Sequence, residues 1–170
     1  MTNRSFERAM ALAAVTGLRA ALGPALVASA YRRPERRALA TAALGEMVLD
    51  KVPGMPSRSS LPLLLPRALA GAWVAKTVME EEGDSSPWAM PMGAVVAAGV
   101  AVLAPKVRGL LKFVLPFPGP VLGLAEDYLA LRIGGEATGL TMDDMKQIAC
   151  ESLDDVKAQI GPIVQSIGVG

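Results

Sequence analysis

"AMALAAVTGLRAALGPALVASA", residues 9–30, carries one charged side chain, Arg19, in 22 residues. About 20 apolar residues of helix are enough to cross a bilayer, so the stretch reads as a membrane span. A guanidinium near the centre of such a helix costs roughly 2.5–3.5 kcal/mol on insertion scales. Arg19 is therefore expected to face the protein interior and to meet a carboxylate. Gly17, Gly23 and Pro24 lie close to it. They can kink or open a helix and free its carbonyls, or simply let neighbouring helices approach. Arg4, Arg8 and the "ASA" at 28–30 imitate a secretory leader. Arg19 interrupts its apolar core, however, and "YRRPERR" follows at once, so the segment is read as retained.

The totals fit that reading. The 170 residues are 52% apolar and 19% charged, with a mean hydropathy of +0.38. The chain is richer in apolar side chains than ordinary soluble domains, and long enough for one core. A net charge of +1 and 4% aromatic residues argue against nucleic acid as a partner. There is no histidine, which removes Ser-His and Cys-His catalysis and imidazole metal sites. The single cysteine, Cys150, cannot close an internal disulfide. A bound metal would need oxygen ligands, hence a divalent cation such as Mg²⁺.

Two further runs have the length of a span: 61–79, with Arg67 and Lys76 inside it, and 88–104, with no charge. The expected architecture is an all-α polytopic membrane helix bundle with three full spans. Loop charge orients it: the arginines of 31–37 and the three cations of 105–112 belong in the cytoplasm, and "EEEGD" (80–84) outside. On that topology 37–58 starts and ends on the cytoplasmic side, and its apolar part, 38–49, is too short to cross. It is expected to be a half-helix, re-entrant or interfacial, and such elements survive only under protein cover. "GLAEDYLALRIG" (123–134) matches "ALGEMVLDKVPG" (43–54) as a second half-helix at an offset of about 80 residues. A parallel internal repeat, 7–80 and 87–135, would follow. Residues 1–135 then form the membrane domain, and 136–170 a cytoplasmic amphipathic helical tail with Thr141 as its N-cap.

Four carboxylates could answer Arg19: Glu46, Asp50, Glu126 and Asp127. Together they could hold one divalent cation, or they could be solvated interfacial groups. Arg58 and Arg67 accompany the Pro-rich turn, and Arg58 could grip a phosphate or carboxylate or anchor the interface. Arg19, Glu46, Asp50, Arg58, Arg67, Glu126 and Asp127 are thus the candidate ion- or solute-binding residues. No residue stands out as catalytic.

"GLRAALGPAL" (17–26), "EMVLDKVPGMPSR" (46–58) with "RALAGA" (67–72), and "AEDYLALRIG" (125–134) resemble an uncharacterised family of small bacterial integral membrane proteins, a domain of unknown function. The resemblance implies multi-pass residence in a bacterial inner membrane and no particular activity. The expected function is a small membrane protein with a buried acidic site that binds or moves a small ion or solute. The alternatives are a metal-dependent membrane enzyme acting on lipid head groups and a purely structural membrane protein. An all-α soluble protein is also weighed. The expected partners are the lipid bilayer, a small ion or solute, and a second copy of the chain.

Overall fold

A computed structural model describes residues 3–49, 61–114 and 119–166. Among them are seven helices and no strand: α1 (Asn3–Leu18), α2 (Leu22–Ala30), α3 (Arg36–Leu49), α4 (Leu61–Glu81), α5 (Ala89–Val114), α6 (Gly119–Thr138) and α7 (Met142–Ser166). The all-helical class is as the sequence predicts. Asp50 and Arg58, two of the candidate site residues, lie outside the described residues.

The decisive stretch is not a span. Residues 19–21 form a turn in which the Leu22 N–H donates to the Arg19 carbonyl (3.1 Å), and α2 doubles back along α1. Arg8 on α1 and Tyr31 just after α2 both reach the carboxylate of Glu82, so the two ends of the run lie at one end of the molecule. Two residues permit the reversal. A Cβ on Gly23 would sit 1.9 Å from Thr16 Oγ1 and 2.9 Å from the Leu12 carbonyl oxygen, so only glycine allows α2 this close. Pro24 falls in the first turn of α2, where a backbone N–H would have no helical acceptor. From Arg8 to Arg19 the hairpin is about 17 Å deep, roughly half the hydrocarbon thickness of a bilayer.

Three full spans are therefore not supported. Among the described residues only α5, with a mean hydropathy of 1.7 over its most apolar window, is long and apolar enough to cross a membrane. The assignment of loops to opposite sides also fails. Arg33 pairs with Glu81 at 2.8 Å, which brings the 31–37 and 80–84 loops together. Opposite charges that looked like markers of two compartments are partners in one polar end. The pieces aligned as repeats differ in form as well. Residues 9–30 are a hairpin while 88–104 lie in the continuous α5, and 123–134 belong to the 20-residue α6 rather than to a half-helix.

The bundle is held by small residues at close crossings. A Cβ on Gly71 of α4 would stand 2.7 Å from the Gly93 carbonyl oxygen, and one on Gly93 of α5 would stand 2.5 Å from that of Gly71. Each glycine accommodates the other's backbone, the way helices pack when neither brings a large side chain. Gly17 brings α1 against Ala97 of α5 in the same manner. The core is built from Leu12, Val15, Val27, Val74, Val78 and Met79, all buried.

The helix α7 rests on α3 and is started by a capping box. Asp144 accepts from the backbone N–H (2.8 Å) and hydroxyl (2.7 Å) of Thr141, while its own N–H donates to the Thr141 oxygen (3.2 Å). These bonds hold the Asp144 carboxyl below the usual carboxylate range. The capping contribution is therefore fully present above the unfolded value of about 3.9 and is lost as pH falls through the lower folded value. Protection of the amides in the first turn of α7, taken relative to the intrinsic exchange rate at each pH, should fall on acidification below that range in the wild type and be low throughout in Asp144→Ala. Ser152 of α7 is fully buried, its hydroxyl donating to the Ile148 carbonyl at 2.8 Å, while its neighbour Leu153 is half exposed.

Candidate functional site

The hairpin tip gathers most of the charged residues that the sequence singles out. Arg19 is buried and donates through Nε to Asp127 Oδ1 of α6 at 2.8 Å, with a second, closer contact through its terminal nitrogen. Glu46, on α3, accepts from the backbone N–H of Ala20 (3.0 Å) and of Ala21 (2.9 Å). These are donors at the start of α2 that the helix itself cannot use, and a carboxylate there also meets the positive end of the helix dipole. Arg67, buried on α4, donates to the same carboxylate at 2.9 Å and to the Leu63 carbonyl at 3.2 Å. Glu46 thus ties α3 and α4 to the hairpin tip.

Glu126 and Asp127 are consecutive, about 100° apart around α6, and so reach different neighbours. Asp127 takes the hairpin arginine, and Glu126 pairs with Arg108 of α5. The layer therefore holds three arginines (19, 67, 108) and three carboxylates (46, 126, 127), which cancel in charge. Arg108 was absent from the sequence-based set because 105–112 reads as a loop after a proline. The helix instead continues through Pro105 to Val114. Counting charge offers a signal for it: with Arg19 and Arg67 turned inward, three inward carboxylates leave one cation to be found.

The arrangement bears on the divalent-cation expectation. Every described carboxylate of the candidate set already faces a guanidinium, and among the described residues no group of three or more metal-ligating side chains comes together. A cation would have to displace an arginine to enter. What the geometry does chemically is satisfy an interrupted backbone and several buried charges at once, as burial demands.

Replacing Glu46 by alanine is expected to leave two backbone N–H groups and the Arg67 guanidinium without this acceptor. The cost should be about 3 kcal/mol, the lower end for a broken buried pair since Glu46 is slightly exposed. Glu46→Gln keeps one oxygen acceptor and should cost about half as much. Thermal unfolding together with amide exchange at Ala20 and Ala21 checks both values.

Comparison with known proteins adds no homology argument: no family model, no curated protein and no solved structure matches the chain.

Proposed function

We propose that this protein is a membrane-embedded helical scaffold in which α5 crosses the bilayer and the α1–α2 hairpin enters and returns on one side, fixed at depth by three arginine–carboxylate pairs. The observation that carries the reading is the bare apolar face of α5. Only 11% of its most apolar window is buried against the rest of the chain, and Val95, Leu103, Val107, Leu110 and Phe113 point outward. A core helix of a water-soluble protein would be covered, and this many exposed apolar side chains mark a membrane or partner contact. Lys106, exposed on the same side of α5, extends its ammonium toward the nearer interface. Exposed aromatics, Trp88 just before α5 and Phe113 near its end, are about 38 Å apart along the helix, close to the span of a bilayer with its interfaces. The resemblance to small bacterial membrane proteins suggests the inner membrane as the compartment.

Within this reading the buried charges fix packing. Direct pairing supports that role, because each guanidinium has a carboxylate to neutralise it in a medium that tolerates neither alone. A second reading, binding or passage of a small ion or solute at the layer, is favoured by one feature. Glu46 closes the tip from another helix, so the two N–H donors of Ala20 and Ala21 could serve a different anion if it moved.

Carbonate washing of expressing membranes tests residence: the protein stays in the pellet if α5 is inserted and is released if the apolar face is covered by a soluble partner. Reconstitution into vesicles loaded with a chloride-sensitive or a pH-sensitive dye, with and without the corresponding imposed gradient, tests the second reading. The scaffold predicts no flux above empty vesicles.

A further inference from the structure

Away from the charged layer, α2, α3, α6 and α7 enclose a cavity of about 380 Å³, within the range of small-molecule sites. Its walls are almost wholly apolar, with Leu26, Ala43, Met47, Leu131 and Met145 among them, and Lys146 is the one charged residue at its edge. The other polar residue there, Ser29, donates its hydroxyl to the Ala25 carbonyl at 2.7 Å and offers no donor to a ligand. Water in so apolar a recess has few polar partners, so its displacement by an alkyl chain is favourable. Methionines from both α3 and α7 line it, flexible side chains that can mould to an unbranched chain. Lys146 is paired with Asp143 at 3.1 Å, but both are largely exposed, so exchanging that partner for another anion costs little.

We propose that this cavity takes a single alkyl chain whose anionic head group is held by Lys146. The ligand is an anionic amphiphile, either a free fatty acid or one chain of an acidic phospholipid. The shape explains the placement of α7. A helix with a charged outer side and an apolar inner side covers one side of the cavity, with the Arg37–Asp155 pair at 3.2 Å joining it to α3, and the cavity is open enough on its other side for a chain to enter. The cavity is separate from the bare face of α5, so the proposal does not stand or fall with membrane insertion.

The test is photolabelling of the full chain in phosphatidylcholine vesicles carrying a diazirine on the acyl chain of either dodecanoic acid or phosphatidylglycerol, with labelled peptides mapped by mass spectrometry. The proposal expects label on the α2, α3 and α7 peptides that face the cavity, besides any label on α5. Label from dodecanoic acid alone identifies a free acid, and label from phosphatidylglycerol identifies a lipid. Ala43→Phe, which fills the cavity, should reduce cavity labelling about tenfold and leave α5 labelling unchanged. Lys146→Glu is an exposed substitution that spares the fold, and it should reduce cavity labelling by both anionic probes while sparing a diazirine phosphatidylcholine. Label confined to α5, or cavity label indifferent to both substitutions, overturns the proposal. If α5 takes no label, membrane insertion fails separately; dodecanoic acid added to the protein in buffer then decides the cavity by the same two substitutions.

Discussion

Gly93→Leu is expected to destabilise the bundle severely. A Cβ at this position falls 2.5 Å from the Gly71 carbonyl oxygen and 2.5 Å from Ala75 Cβ. The first contact is with backbone, which cannot swing aside as a flexible side chain can. The α4–α5 pair would have to separate by more than an ångström. The separation would carry Ala97 away from Gly17 and Gly71, whose own contacts with it are as tight. Overpacking of a core commonly costs about 1–3 kcal/mol, and a backbone clash shared by three helices lies at or above the top of that range. Because natural domains have only about 5–15 kcal/mol in hand, a loss of this size should show as low yield and a strongly lowered Tm. Gly99, also on α5, is the control: nothing lies within 4 Å of its Cβ position, so Gly99→Leu should be tolerated and is expected to stabilise the helix slightly.

The second large effect concerns the charged layer. Arg19→Met removes the guanidinium and leaves Asp127 in a buried site, and Asp127→Leu leaves Arg19 there. Each is expected to destabilise by about 3–5 kcal/mol, the usual result of breaking a buried pair. The double substitution Arg19→Met with Asp127→Leu removes both charges and fills the space with apolar atoms of similar bulk. It should recover most of the loss, because a buried pair replaced as a whole is often neutral or better. Denaturant titration of the four proteins gives the coupling energy directly. The same series separates the two functional readings. If the pair only fixes packing, the double variant regains everything the protein does in the cell. If an ion or solute uses the layer, the double variant folds and still fails.

The sequence makes parts of this legible for physical reasons and hides others. Arg19 demands a buried carboxylate because a lone guanidinium is too costly among apolar side chains, and Asp127 meets that demand. The capping box at Thr141 and Asp144 is a local arrangement of adjacent residues, so its spacing suffices to find it. The hairpin is different. "GLRAALGP" is compatible with a straight helix, a kink or a reversal. What selects the reversal is the fit of Gly23 against Thr16 and the seating of Glu46 on Ala20 and Ala21. The first contact forms only after the chain has turned, and the second comes from a residue about 25 positions away, so the local pattern does not single out the reversal. Taking the hairpin for a span misleads the loop-charge rule as well, since it places 31–37 and 80–84 on opposite sides although Arg33 and Glu81 are in contact. Arg108 was hidden by Pro105, which marks a helix end more often than an interior position.

The first apolar run returns to the side from which it starts, α5 carries the chain across, and α6 brings it back beside Arg8, whose Nε donates to the Ala137 carbonyl at 2.7 Å. Single cysteines at Glu35, Asp84 and Lys112, each in a Cys150→Ala background, test this path in sealed vesicles with a membrane-impermeant maleimide. The account predicts that 35 and 84 label from one side and 112 from the other. Labelling of 35 and 84 from opposite sides would restore the first run as a span, and labelling of all three from one side would remove α5 from the membrane; either result contradicts it.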